Sequence, residues 1–323
     1  MKVFLTSAYP YHPEKNFAMQ WLKESAISDP FKDHSLTDDP QAADLILFVE
    51  HHPGHDPYFF SVSRNEVFRK FQDKCFLYHD CDWTIPIIPG IYPSVEKRFF
   101  TPGIMQAGHY IARLCENEAI MPAGNSEKEF LFSFVGAKKT HTCRSRVLNL
   151  THDRCYLKDT SGSNSWNLSP EDKKKFEEEY VNVCAKSQFI LCPRGIGPNT
   201  YRLFEAMEMG IAPVIISDEW VPIEGPSWER FSLKIAERDI ENIPNILEEN
   251  QDRSILMGIL AREEWEKWFS KEVSFHHLVE ACRRIRQEKL RAKGISRLRI
   301  YREFLMPFHF RNLLRYSKKQ LID

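Results

Sequence analysis

The residues best suited to hold a diphosphate lie between Phe189 and Asp218, in the run FILCPRGIGPNTYRLFEAMEMGIAPVIISD. An apolar stretch, Phe189–Cys192, leads into a loop carrying Arg194 and Gly195, and a helical stretch, Thr200–Met209, follows. The first turn of a helix leaves backbone N–H groups unpaired and carries the positive end of the dipole, so it draws an anion. Arg194 on the loop can donate in parallel to phosphate oxygens. Thr200 adds a hydroxyl donor. Glu205 is placed to accept from ribose hydroxyls, and Arg202, three residues earlier, shares its helix face. Ser217 and Asp218 close the next apolar run, Ala212–Ile216. Upstream, Gly136 ends another apolar run, with Arg144 and Arg146 behind it to reach a phosphate. Plainer roles stand beside these: Arg194 paired with Asp218, Glu205 paired with Arg202 or Arg146, Ser217 and Asp218 as a turn cap, and one of Arg144 and Arg146 as a solvated helix residue.

A second set of reactive side chains sits in the first third. Glu50-His51-His52 ends a buried run, with His55-Asp56 on the same loop, and His79, Asp80 and Asp82 end another. Carboxylates and histidines at strand ends are the groups from which a general base is drawn. Glu50, Asp80 and Asp82 are the candidates, with His12 as a further one, and the residues alone do not choose among them. Asp80-Cys81-Asp82 also has the D-x-D form that holds a divalent metal on a donor diphosphate. So short a pattern is common by chance, and a separate phosphate loop replaces the metal, so no metal or other cofactor is predicted. His51-His52-x-x-His55 reads as polar, acceptor-facing side chains rather than a metal site.

These positions require strands and helices in alternation. Lys2–Ala8, Ala43–Glu50 and Cys75–His79 read as strands, and Phe17–Ile27 and Glu66–Phe71 as helices. The segment holding Pro86, Pro89, Pro93 and Pro102 reads as extended loop, and Pro122–Ser126 as a linker. The pattern then restarts with strands at Phe130–Val135, Arg154–Leu157, Phe189–Cys192, Ala212–Ile216 and Phe231–Ile235. Ser169-Pro170-Glu171-Asp172 starts a helix: serine caps, proline takes the first turn and the acids favour the positive end. Arg144–Leu150, Ile240–Glu249, Arg253–Phe269, Phe275–Ala292 and Arg297–Tyr316 complete the helices. Continuous apolar strands alternating with helices make parallel sheets covered on both faces. The predicted class is α/β, with two Rossmann-like βαβ domains facing a cleft, the GT-B type, and C-terminal helices. Residues 1–122 form the acceptor-side domain and 128–295 the nucleotide-sugar domain; 296–323 form a basic helix that can cross back to the first domain.

From Phe189 to Asp218 the chain resembles the exostosin-like family, glycosyltransferase family 47. That pattern runs F-x-L-C-P-R-G-x(4)-S-x-R-L-F-E-A-(L/M), then a small-residue turn, then P-V-I-x-S-D. Here Phe189, Leu191, Cys192, Pro193, Arg194 and Gly195 begin it. Thr200, Arg202, Leu203, Phe204, Glu205, Ala206 and Met207 continue it, and Pro213, Val214, Ile215, Ser217 and Asp218 close it. Thr200 stands where serine is usual and keeps the hydroxyl. The likeness spans about Phe130 to Asn250, and the first half is matched far more weakly. The resemblance implies a short, bacterial-type member and inverting transfer from a nucleotide sugar, most often UDP-linked. The acceptor is a hydroxyl of a glycan or lipid-linked glycan, in polysaccharide or cell-surface glycan synthesis. A GDP-fucose-type transferase of the same fold and a non-catalytic nucleotide- or glycan-binding scaffold are the rival readings.

Composition narrows the partners. The 323 residues carry a formal net charge of −1, which gives no nucleic-acid bias overall. Thirteen basic residues nevertheless crowd between Arg283 and Lys319, opposed only by Glu288 and Glu303. That tail reads as a solvated helix face or as attraction to an anionic membrane surface, and not as a nucleic-acid site, because no recognised nucleic-acid fold accompanies it. The eight cysteines show no metal spacing, and no run approaches the ~18 apolar residues of a membrane span. Reduced thiols and a cytoplasmic location, peripheral at the inner membrane face, are expected.

Overall fold

The computed structural model describes residues 1–11, 16–50, 56, 58–82, 85–111, 117, 119–124, 126–162, 169–291 and 301–320. His12, His51, His52 and His55 lie outside the described residues. The apolar runs of the first third become strands β1 (Lys2–Thr6), β2 (Ser35–Leu36), β3 (Leu45–Glu50) and β4 (Cys75–His79). With β5 (Gly90–Tyr92) and β6 (Met105–Ala107) they form one sheet in the order β2-β1-β3-β4-β5-β6, every pair parallel. β3 and β4 are buried along their whole lengths, as unbroken apolar strands require. β5 and β6 fall in the proline-rich stretch predicted as loop; three residues are too few to show a period. Gly90 permits β5 to pair with β4, because a Cβ there would sit 2.1 Å from the Leu77 carbonyl oxygen. Helix α1 (Phe17–Ser28) is capped by Asn16, whose side chain accepts from the Met19 N–H and donates to the Val49 carbonyl. Two short helices follow, α2 (Phe60–Arg64) and α3 (Glu66–Lys70), of which only the second is predicted by the sequence.

A second sheet takes the restarted pattern. β7 (Phe130–Gly136), β8 (Cys155–Asp159), β9 (Ser187–Pro193), β10 (Ala212–Ile216) and β11 (Leu233–Lys234) pair in the order β11-β10-β9-β7-β8, again all parallel. Helices α4 (Thr142–Leu148), α5 (Pro170–Ala185), α6 (Tyr201–Met209), α7 (Trp228–Phe231), α8 (Ile243–Asn250) and α9 (Ser254–Trp268) accompany it. Ser169 caps α5 by accepting from the Asp172 N–H, with Pro170 in the first turn. α6 stops at Gly210, whose φ of 72° is the left-handed conformation that glycine adopts without strain. Phe132, Phe134, Phe189, Leu191 and Val214 share this unit's core.

The chain then returns to the first unit. Compact units comprise residues 1–114 with 271–323, and residues 115–270. Helix α10 (Lys271–Arg291), which the sequence reading carried within 128–295, buries Phe275, Leu278, Val279, Cys282 and Ile285 in one core with Val3, Leu22, Leu45 and Val49. Each large apolar side chain so buried contributes about 1.5–3 kcal/mol as an upper estimate, enough to decide which unit the helix joins. The single helix predicted over 297–316 is interrupted among its described residues: a 3-10 turn, Glu303–Leu305, gives way to extended Met306, and α11 (Pro307–Gln320) begins. Proline lacks an N–H and clashes with the preceding turn, so it starts a helix rather than continuing one. α11 is held to α2 and its neighbours by Tyr58, which donates to the His309 carbonyl at 3.1 Å, and by Arg64, which donates to the Tyr316 hydroxyl at 2.8 Å. Among the described residues no helix is long and apolar enough to cross a membrane.

Candidate functional site

The second unit contains a cavity of about 310 Å³. Gly136 and Ala137 at the carboxyl end of β7, Arg144 of α4, Tyr180 of α5, and Arg202 and Glu205 of α6 line it. Parallel α/β sheets bind ligands beyond the carboxyl ends of their strands. Four predicted residues, Gly136, Arg144, Arg202 and Glu205, are thus brought to one place. Glu205 Oε2 accepts a 2.7 Å hydrogen bond from the Tyr180 hydroxyl, and Oε1 has no partner among the described residues. Burial pushes the Tyr180 phenol well up, with Cys184 and Glu205 adding to it, so Tyr180 stays a protonated donor. Arg202 donates to the Val135 carbonyl and lies 4.7 Å from the Phe134 ring centroid, a cation–π distance, while its buried Nε has no hydrogen-bond partner among the described residues. No ion pair joins Glu205 to Arg202 or Arg146 among the described residues. Gly136 makes room for this packing: a Cβ would stand 2.9 Å from both Arg202 Nη2 and the Phe134 ring. The sequence reading used Tyr180 only as part of a buried face. The available signal was its hydroxyl, which must find a partner once buried.

A second group adjoins the first through Arg144, whose Nε donates to the Arg194 carbonyl at 2.9 Å. Arg194 is buried, donates to the Ile196 carbonyl at 3.4 Å and stands 3.9 Å from Glu237 Oε1. Asp218 and Glu237 exchange hydrogen bonds: the Asp218 N–H donates to Glu237 Oε1 and the Glu237 N–H to Asp218 Oδ1, each at 3.1 Å. Glu237, rather than Asp218, is therefore the acid recorded beside Arg194. Ser217 Oγ is buried without a hydrogen-bond partner among the described residues. A Cβ on Gly195 would lie 3.1 Å from Arg144 Nη2. Thr200 occupies the cap position of α6 without a side-chain cap bond. Arg146 is turned to another surface, where it pairs with Glu241 and donates to the Glu237 carbonyl at 2.6 Å. Arg146, Arg194, Gly195, Thr200, Ser217 and Asp218 are not among the cavity's lining residues.

His141, Cys143 and Glu237 bring one ligand atom each within 4.8 Å of one another, which is the sole such convergence among the described residues. Burial pushes the Cys143 thiol up to about 11, and the Arg194 guanidinium is beside Glu237, so this trio is poorly suited to a cation. Among the described residues Asp80 and Asp82 join no such group.

In the first unit the predicted carboxylates sit at strand ends. Glu50 closes β3, is fully buried, and accepts from Ser7 Oγ and the Ala8 N–H, each at 2.7 Å. Burial, reinforced by Asp56, pushes its carboxyl up to about 8 against the opposing pull of those hydrogen bonds. Asp80 is buried just past β4, and Asp82 accepts from the Tyr110 hydroxyl at 2.6 Å. Asp56, fully buried, accepts from the Tyr9 hydroxyl at 2.7 Å and from the Phe60 and Ser61 N–H groups at 3.0 and 2.8 Å.

The family described as the exostosin GT47 domain matches residues 109–250. Over those residues, less than half of the chain, the chain is similar to that domain. Exostosin-1 homolog of Caenorhabditis elegans is 28% identical over 144 residues, 40% of this chain and 38% of that protein. Probable glucuronoxylan glucuronosyltransferase IRX7 of Arabidopsis thaliana is 42% identical over 72 residues, 21% of this chain and 16% of that protein. The solved structure of MurG from Acinetobacter baumannii is similar with a TM-score of 0.40 at 7% identity, covering 87% of this chain and 99% of that one. The chain spans less than half the length of these curated relatives. The matched stretch takes in every predicted donor residue from Gly136 to Asp218, whereas Glu50, Asp80 and Asp82 fall outside it.

Proposed function

We propose that the GT47 domain binds a nucleotide sugar, UDP-linked by preference, and that the chain transfers the sugar with inversion to a hydroxyl of a glycan or lipid-linked glycan. The observation that carries this reading is the meeting of Gly136, Arg144, Arg202 and Glu205 around one cavity at a strand end of the second unit. Glu205 Oε1 is available to accept from the ribose. Arg144, Arg194 and the N–H groups at the start of α6 supply positive potential for the leaving diphosphate, the electrostatic part of the catalysis. Glu50, Asp80 and Asp82 are the proposed sources of the base that takes the acceptor's proton. The seven described cysteines are free thiols, which agrees with a reducing, cytoplasmic setting.

Calorimetry with UDP-, GDP- and CMP-sugars tests the proposal, followed by transfer and hydrolysis assays with and without EDTA. UDP binding weakened at least about tenfold by Glu205→Ala and by Arg202→Ala is expected, since each substitution removes a charged partner. Wild-type binding in both variants would refute the donor-site assignment. Nucleotide binding without any transfer or hydrolysis would favour a scaffold instead, and loss of activity in EDTA would return Asp80 and Asp82 to a metal role.

A further inference from the structure

The basic tail divides into two parts. Between 283 and 289 the cations are engaged within their own unit: Arg283 binds Glu280, Arg286 donates to the Asp44 carbonyl, and Lys289 lies 3.6 Å from Asp73. From 301 onward the pattern differs. Arg302, Arg311, Arg315 and Lys318 are exposed, and none has an ion-pair partner among the described residues. Large apolar side chains stand exposed beside them: Leu305 at 76%, Leu314 at 54%, Tyr301 at 49%, Phe310 at 47% and Met306 at 46%.

Helix α11 sorts these by face. His309, Asn312, Leu313 and Tyr316, at spacings of three and four, are its inward side, with Tyr316 buried and His309 bonded to Tyr58. Phe310 and Leu314 form an adjoining apolar stripe one turn apart, and Arg311, Arg315 and Lys318 form a basic stripe beside it. A helix that leaves aromatic and aliphatic side chains in water next to unpaired arginines fits the boundary between lipid headgroups and acyl chains. There the apolar stripe is buried while the guanidinium and ammonium groups meet anionic headgroups. A second copy of the same face would set like charges against each other, which argues against self-association.

We propose that residues 301–318 are a membrane-docking surface for this chain, with Phe310 and Leu314 inserted into the headgroup boundary of an anionic bilayer and Arg311, Arg315 and Lys318 paired to its lipids. The surface is independent of the donor site, so its test does not depend on the glycosyltransferase reading. The full chain is floated with vesicles of phosphatidylcholine alone and of phosphatidylcholine mixed with phosphatidylglycerol. Binding is expected only to the anionic vesicles and is expected to fall as salt rises. Arg311→Ala with Arg315→Ala should weaken it roughly thirtyfold, at about 1 kcal/mol per cation. Phe310→Ser with Leu314→Ser should weaken it on the order of tenfold or more. Thermal unfolding and UDP binding of both variants serve as controls for folding, and neither should change, because all four side chains are exposed. Absence of binding to anionic vesicles overturns the proposal, as does equal binding to neutral ones. So does unaltered vesicle binding in either variant, or a self-associated chain that the Phe310→Ser, Leu314→Ser variant splits into monomers.

Discussion

Glu50→Gln tests whether the buried carboxyl of the first unit is neutral. Glu50 is fully buried, and its pKa stands at about 8 against an ordinary value of 4.5. In the window between those values the native chain keeps a proton that the unfolded chain has lost. The folded-state pKa is raised, so the stabilisation is fully present below pH 4.5 and is lost as pH rises towards 8. At about 1.4 kcal/mol per pH unit the whole window amounts to on the order of 5 kcal/mol. Glutamine preserves the geometry: its amide can donate to Ser7 Oγ, which in turn donates to the Tyr9 carbonyl, while its oxygen accepts from the Ala8 N–H. The variant should therefore match the wild type near pH 5 and exceed it progressively up to pH 8. Urea unfolding at closely spaced pH values measures the difference. Parallel curves for the two proteins from pH 5 to 9 would show Glu50 ionised throughout and refute the reasoning; a large loss in the variant at pH 5 would show that the carboxylate itself is required. The outcome also bears on the base, because a carboxyl with a pKa near 8 accepts a proton efficiently only above neutral pH.

Gly136→Ala should cost about 1–3 kcal/mol by overpacking against Arg202 and Phe134 and should weaken nucleotide binding, read by thermal shift with and without UDP. Tyr180→Phe removes the donor to Glu205 Oε2 and should destabilise the chain by about 1–3 kcal/mol; an unchanged unfolding midpoint would count against that hydrogen bond. Arg146→Ala, which breaks the contacts to Glu241 and the Glu237 carbonyl, should leave the UDP affinity measured by calorimetry unaltered. Ile285→Ala in α10 should cost about 2–5 kcal/mol in the first unit while nucleotide binding by the folded protein persists. A loss of binding with the first unit still folded would place α10 with the second unit instead.

Local sequence was enough for the βα alternation, the capped start of α5, the glycine stop of α6 and the strand–loop–helix around Arg194. Each rests on contacts between residues a few positions apart, which leave a period or a cap in the sequence. The gathering of Gly136, Arg144, Arg202 and Glu205 was anticipated because all four sit at strand ends or early in helices of one parallel sheet. Other features needed the tertiary structure. Tyr180 meets Glu205 from a different helix, Glu237 rather than Asp218 stands beside Arg194, and Arg146 turns away from the cavity that Arg144 lines, although only two residues separate them. β5 joins β4 because Gly90 lets two backbones approach, not because of any apolar pattern. Helix α10 shows the limit most clearly: its amphipathic sequence announces a buried face, but the face carries no address, and only packing against Val3, Leu22, Leu45 and Val49 decides which unit it completes.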